Sequence, residues 1–330
     1  MNRQQNNTMK AAVYHKYGSP DGIKVTEVPK PVPKEDEVLI RIHAASVNAY
    51  DWHLLRAKPF FTRFISGLFR PKNKILGADI AGTVESPGKR FHPGDEVFGC
   101  LESCGKGGLA AGGFAEYVCA KESVLALKPS CTSFEEAAAL PMAAISALQG
   151  LRDQGQIKSA QHVLINGASG GVGTFAVQIA KAYGAEVTGV CSPDSLEMVR
   201  SLGANSVIDY TAEDFVENER QYDLILDVAA SRSVKDYRHS LKSGGICVVV
   251  GFSTIGHMLS VSLSSKRDGK RIGVLVANNK NGADLLALDA LLESGKLKAI
   301  IDSCYPLSKA AEAIRHVEIG HPKGKVIITI

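Results

Sequence analysis

The segment from His162 to Gly184, HVLINGASGGVGTFAVQIAKAYG, constrains the fold more than any other. It opens with Val163, Leu164 and Ile165, an apolar run suited to a fully buried strand. Gly167, Gly170, Gly171 and Gly173 follow as a turn. Val172, Phe175, Ala176, Ile179 and Ala180 then recur at helical spacing, and Gly184 supplies a stop. Strand, glycine turn and helix in this order form the context of a dinucleotide-binding site. There the backbone approaches a pyrophosphate and the helix N–H groups point at its charge. In the G-x-G-x-x-G register Gly170 and Gly173 fit, while the first position is Ala168, so a turn that only packs helix on strand is the alternative. The residues expected at the phosphates are Gly167, Ser169, Gly170, Gly171, Val172 and Gly173.

The downstream pattern favours the nucleotide reading. Apolar runs at Val187–Val190, Ser206–Ile208, Leu224–Val228, Ile246–Val250 and Ile272–Val276 are mostly separated by helix-length segments. With the first strand they make the six of a doubly wound parallel sheet, an α/β Rossmann fold. Gly251, just past the fifth run, is a further cofactor candidate. NAD sites usually carry an Asp or Glu about 20 residues past the glycines. This chain has Cys191 and Ser192 at the end of its second strand, so no carboxylate there repels a 2′-phosphate.

The first third reads as β-rich, with strands expected at Lys10–Tyr14, Ile23–Val28, Glu37–Ala44, Asp79–Glu85, Glu96–Gly99 and Phe114–Val118. Ser133–Gly150 reads as one long helix, with Ser133 and Glu136 forming a capping box. Helices are expected over Asp284–Leu292 and Leu307–Ile314, and a final strand over Val326–Ile330 that returns to the first domain. The division expected is residues 1–129 completed by 281–330 around a nucleotide-binding domain of 130–280. Residues Met1–Met9 are polar and read as a frayed tail rather than a secretory signal.

A net charge of +4 gives no case for a nucleic-acid partner. No apolar run reaches the roughly 18 residues of a membrane span. Seven cysteines, mostly scattered singly, suggest free thiols in a reducing compartment, with cytoplasm the default.

Several collinear pieces carry a family resemblance: Ala45-Ser-Val-Asn-Ala-Tyr-Asp-Trp52, Leu76-Gly-Ala-Asp-Ile-Ala-Gly82, Pro93-Gly-Asp-Glu-Val-Phe-Gly99, Gly113-Phe-Ala-Glu-Tyr117, Ala137-Ala-Ala-Leu-Pro141, the glycine turn, Leu202-Gly-Ala204 and His321-Pro-Lys-Gly-Lys325. Together they cover nearly the whole chain, which resembles the zinc-independent members of the medium-chain dehydrogenase/reductase superfamily, in their quinone oxidoreductase group. The resemblance implies a GroES-like substrate domain into which the Rossmann domain is inserted, with a cleft between them. It implies an enzyme that takes hydride from NADPH to a quinone or α,β-unsaturated carbonyl, and a homodimer or multiple of it. Zinc-dependent relatives place a cysteine where this chain has Asn48, and Gly-His-Glu where it has Gly77-Ala78-Asp79, so no metal is expected. In the quinone oxidoreductase group a Ser and a Lys after the second strand and a Tyr after the third hold the 2′-phosphate. Ser192 and Tyr210 match, whereas the Lys position falls on Ser195, with Asp194 close and Arg200 the nearest base. Lys325 joins the cofactor candidates.

No nucleophile triad is legible, and hydride transfer needs none; the protein aligns the partners and stabilises charge on the acceptor oxygen. Asn48, Tyr50, Asp51 and His53 cluster where the resemblance implies the active site. Loop capping is the alternative for Asn48 and Asp51, and a structural role for His53. Competing readings are a zinc-free alcohol dehydrogenase-like reductase of aldehydes or ketones and a non-catalytic NADPH-binding sensor.

Two features stand apart. Phe60, Phe61, Phe64, Ile65, Leu68 and Phe69 form an apolar stripe beside Arg63, Arg70, Lys72 and Lys74. It reads as a helix packed on its own domain, a flap over the acceptor, or a weak membrane-surface contact. Arg271–Ala277 is apolar on both alternating faces and, as sixth strand, lies at a sheet edge; pairing across a two-fold axis would cover it.

Overall fold

A computed structural model describes the chain except residues 1–6, 61, 102–111, 219, 252–253, 265–268, 276 and 279–282, and the side chains at 65 and 255. It comprises two compact units, Met1–Met142 with Asn279–Asp289 and Ile301–Ile330, and Ala143–Asn278 with Ala290–Ile300. From Thr8 the chain forms β1 (Thr8–Val13), β2 (Lys24–Pro29), β3 (Glu37–Val47), α1 (Ala49–Arg56), α2 (Thr62–Ser66), β4 (Asp79–Val84), β5 (Glu96–Cys100), β6 (Tyr117–Lys121), β7 (Leu125–Leu127) and α3 (Phe134–Ala139). Next come α4 (Pro141–Gln149), β8 (His162–Asn166), α5 (Gly171–Ala182), β9 (Glu186–Cys191), α6 (Leu196–Ser201), β10 (Ser206–Asp209), β11 (Tyr222–Asp227), α7 (Val234–Ser240), β12 (Leu241–Val249), α8 (Ile255–Ser262) and β13 (Arg271–Val274). The chain closes with α9 (Ala283–Glu293), β14 (Ile301–Pro306), α10 (Ala310–Ile319) and β15 (Lys325–Thr329).

In the second unit six parallel strands stand in the order β10-β9-β8-β11-β12-β13. The order reverses beside β8, so the carboxyl ends of β8 and β11 frame a topological switch point, where α/β sheets bind ligands. Val163, Leu164 and Ile165 are fully buried, as both-face-covered parallel strands require. In the first unit β14-β15-β3-β4-β5-β7 form one sheet with β6 also paired to β3, and β1 and β2 form a separate hairpin. The C-terminal strand thus lies between β14 and β3, with Val326 opposite Val47. Val38, Ile40 and Ile42 of β3 point into the core as their alternation requires.

Several sequence expectations need correction. Ser133–Gly150 is two helices, α3 and α4, because Pro141 lacks an N–H and crowds the preceding turn. The capping box itself forms, Ser133 Oγ accepting from Glu136 N at 3.2 Å and Glu136 Oε2 from Ser133 N at 2.8 Å. The polar tail is shorter than Met1–Met9, since Met9 belongs to β1 and is buried. The strand expected at Phe114–Val118 begins at Tyr117, the N–H of Phe114 instead bonding the Leu76 carbonyl. The sixth strand is four residues, Arg271–Val274, at the sheet edge; Val276 lies outside the described residues. Strand β14, whose residues alternate half-buried and exposed, has no counterpart among the sequence expectations. Among the described residues no helix is long and apolar enough to cross a membrane. The six described cysteines are free thiols, and Cys104 lies outside the described residues.

Candidate functional site

The glycine turn lies at the carboxyl end of β8. The N–H groups of Gly167 and Ala168 both bond the Val190 carbonyl at the end of β9, which fixes the turn across two strands. A Cβ on Gly173 would lie 2.0 Å from the Gly167 carbonyl oxygen, so only glycine allows α5 to start this close to the strand. Gly170 is the N-cap of α5 and offers no capping side chain, which leaves the first-turn N–H groups to another acceptor. The space over Gly170 is open, since a Cβ there would meet no atom nearer than 3.7 Å, and Ser169, Gly170, Gly171 and Val172 are all half-buried. An open, uncapped helix start with half-exposed small residues fits a pyrophosphate.

Ser192 follows β9 and Tyr210 follows β10, and the N–H of Tyr210 bonds the Cys191 carbonyl at 3.3 Å. This brings both candidates to adjacent carboxyl ends on the same side as the glycine turn. Ser192 is half-buried and Tyr210 exposed. Ser195 is buried and lies 3.3 Å from Ser192 through their hydroxyls, so it braces Ser192. Arg200 on α6 and Asp194 are exposed. Gly251 is exposed just beyond β12 at φ +87°. One residue in this region was missed from sequence. Asp227, fully buried at the end of β11, accepts from Asn166 Nδ2 at 3.0 Å, Ala230 N at 2.7 Å and Tyr237 Oη at 2.7 Å. It ties β8, β11 and α7 together beside the switch point, and its position inside an apolar run gave no polar pattern to read.

The first unit holds a second cluster, at the junction of β3 and α1. Asp51 is fully buried; its two oxygens accept from Asn48 N at 2.8 Å and Gly77 N at 2.8 Å. It staples the start of α1 to the loop before β4. Burial pushes its carboxyl up to about 7, against the pull of those two N–H bonds. The Asn48 side chain reaches partners outside α1. Its Nδ2 donates to Asp79 Oδ2 at 2.9 Å and more weakly to the Ser46 carbonyl at 3.4 Å, and its Oδ1 accepts from Lys325 Nζ at 2.5 Å. Asp79 also accepts from Ser46 Oγ at 3.1 Å and Met142 N at 3.1 Å. Lys325 Nζ stands 3.9 Å from Asp79 Oδ2, both side chains nearly fully buried. Burial draws the Asp79 carboxyl up and the Lys325 ammonium down, each restrained by the other's charge.

Lys325 is therefore grouped with Asn48 and Asp79 in the first unit, and the glycine turn belongs to the second. Tyr50 is half-buried against the apolar core of the first unit. His53 stacks on Trp52 at 3.7 Å between ring centres and bonds the Lys58 carbonyl through Nδ1 at 2.8 Å. A carbonyl can only accept, so Nδ1 carries the proton of this contact, and burial draws the pKa of the ring down against the pull of that hydrogen bond.

The residues at the positions of a zinc site do not suit that metal. Asn48 and Ala78 supply neither thiolate nor imidazole, and the Lys325 ammonium already faces Asp79.

Comparison with known proteins bears on both units. A family model described as "Alcohol dehydrogenase GroES-like domain" matches residues 34–130, and one described as "Zinc-binding dehydrogenase" matches residues 202–328. The chain is 36% identical to a 2-methylene-furan-3-one reductase of Solanum lycopersicum, over 97% of its own length and 79% of that protein. It is 33% identical to a chloroplastic NADPH-dependent alkenal/one oxidoreductase of Arabidopsis thaliana, with the same two coverages of 97% and 79%. A solved quinone oxidoreductase from Coxiella burnetii superposes with a TM-score of 0.84 at 30% identity, covering 98% of this chain and 99% of that one.

Proposed function

The chain belongs to the medium-chain dehydrogenase/reductase superfamily, in its quinone oxidoreductase group, and on that premise we propose that it is an NADPH-dependent, zinc-free reductase of quinones or α,β-unsaturated carbonyls. The observation that carries the reading is the uncapped, glycine-lined start of α5 at the switch point of a six-stranded parallel sheet. The dinucleotide, when bound, supplies the hydride. The backbone of Gly170, Gly171, Val172 and Gly173 holds its pyrophosphate, with Gly167 and Ser169 shaping the turn. Ser192 and Tyr210 bind the 2′-phosphate, a preference supported by the absence of a carboxylate directly after β9.

On the acceptor side, Tyr50 offers a phenolic donor to the oxygen on which charge develops. Asn48 and Asp51 are positioning residues, because the amide donors of Asn48 go to Asp79 and Ser46 while Asp51 holds backbone N–H groups. Lys325 keeps the Asn48 amide oriented and brings positive charge to this end of β15. A homodimer through β13 is supported by its place at the edge of the sheet, and the free thiols of the six described cysteines fit a reducing compartment such as the cytoplasm.

Steady-state oxidation of NADPH and NADH against quinones, enals, enones and saturated aldehydes tests the reading. Turnover with NADPH and quinones or enones is expected. Tight NADPH binding without turnover on any of them would favour a sensor, and aldehyde reduction alone the alcohol dehydrogenase reading.

A further inference from the structure

Phe61 and the side chain of Ile65 lie outside the described residues, and the other four members of the apolar stripe are not packed away. Phe60 is 60% exposed, Phe64 69%, Leu68 43% and Phe69 87%, while α2 is only five residues long. The turn carrying them is nonetheless well anchored. Tyr17 Oη donates to the Gly67 carbonyl at 2.6 Å, and Lys72 N bonds the Ser66 carbonyl at 2.8 Å. Gly67 takes φ +122°, and a Cβ there would lie 2.1 Å from the Arg70 carbonyl oxygen. Arg63 lies 5.1 Å from the centre of the Tyr17 ring and 5.2 Å from that of Phe60, and Pro71 is buried. A hydrogen-bonded turn thus presents its apolar side chains to water, an arrangement that marks an interaction surface.

The charge around it identifies the partner. From Leu54 to Ala78 the sequence contains no Asp or Glu, and it carries Arg56, Lys58, Arg63, Arg70, Lys72 and Lys74. Arg56 is neutralised by Glu318 at 2.7 Å. Lys58, Arg70, Lys72 and Lys74 are exposed and show no ion pair among the described residues. Protein interfaces deplete Lys, whereas surfaces that sit in a lipid headgroup layer combine Phe and Leu with Lys and Arg. We propose that the face formed by Phe60, Phe64, Leu68 and Phe69, with Lys58, Arg70, Lys72 and Lys74, docks the first unit on an anionic lipid bilayer. The phenylalanines enter the boundary between headgroups and acyl chains, and the cations stay at the phosphate level.

Co-sedimentation of the full chain with phosphatidylcholine vesicles, alone or containing about one third phosphatidylglycerol, tests this. Binding is expected on the anionic vesicles, weakened by salt and absent on neutral ones. The variant F64S/F69S should reduce partitioning by about ten-fold per phenylalanine, and R70E/K72E by at least about five-fold per charge. No binding by the wild-type chain, or equal binding by both variants, overturns the proposal. So does F64S/F69S that keeps vesicle binding but raises KM for a water-soluble acceptor, which assigns the face to the acceptor. A lower oligomeric state of that variant with unchanged vesicle binding assigns it instead to a second copy of the chain. Vesicle binding is read without turnover, so it stands or falls separately from the reductase reading.

Discussion

Lys325 Nζ lies 2.5 Å from Asn48 Oδ1, joining two residues 277 positions apart in the sequence and both nearly excluded from water. The ammonium is the only cation reaching the buried Asp79 among the described contacts, at 3.9 Å. Removing it as Lys325→Met leaves Asp79 uncompensated and should cost about 3–5 kcal/mol. Urea unfolding of the purified protein measures this. Adding Asp79→Asn should recover part of the loss, since the stranded charge then disappears.

The same ammonium bears on metal content. With Asn48 and Ala78 in place of soft ligands, the protein should contain well below one zinc per chain and keep its reductase activity after chelation. Elemental analysis of protein purified without chelator decides it, and near-stoichiometric zinc would refute the zinc-free reading.

Gly173→Ala is expected to weaken NADPH and NADH alike, because even a methyl group would sit 2.0 Å from the Gly167 carbonyl oxygen and push α5 from the strand. Gly173→Val should weaken them further. Fluorescence titration with both cofactors separates this from a loss of 2′-phosphate recognition, which would spare NADH.

Ser192→Ala and Tyr210→Phe should each cost roughly 1.5–3 kcal/mol in NADPH affinity. NADH affinity should stay nearly constant in both. Dissociation constants by calorimetry test the assignment, and a parallel loss for the two cofactors would place these side chains away from the phosphate.

Asp51 should give stability a recognisable pH dependence. Its carboxyl titrates at about 7 in the folded chain, above its ordinary value of 3.8, so the folded state holds a proton that the unfolded chain releases. The contribution is fully present below the ordinary carboxylate range and is lost as pH rises to about 7, at up to about 1.4 kcal/mol per unit. Asp51→Asn should remove this component. Denaturant unfolding at intervals from pH 5 to 8 compares the two slopes, and identical slopes would show the group ionised throughout.

The sheet of the second unit was legible because each parallel strand is an apolar run bounded by glycine or polar residues, and the glycine turn announced its own geometry. The break at Pro141 was equally visible but was overridden by the long alanine-rich periodicity around it. Strand β14 was hidden because its half-buried residues, Ile301, Ser303 and Tyr305, include only two apolar side chains. At the candidate site, the family resemblance singled out Asn48 and Asp51, yet their hydrogen-bond partners were not legible. The Asn48 side chain is held between Asp79 and Lys325, and Lys325 reaches it only through the pairing of β15 with β3. Asp227 was concealed in the same way, its partners lying on β8 and α7.

The place of β15 between β14 and β3 sets a timetable for synthesis. A ribosome translates β3 early, but its flank stays unpaired until Lys325–Thr329 emerges almost three hundred residues later. Throughout that interval a growing chain exposes Ala44–Val47, an apolar edge with free N–H and C=O groups, to any strand that arrives first. The parallel sheet of the second unit has all its strands by Val274 and needs no such wait. The flank of β3 is made before the second unit and closed after it, and chaperone dependence during translation should concentrate on that open edge.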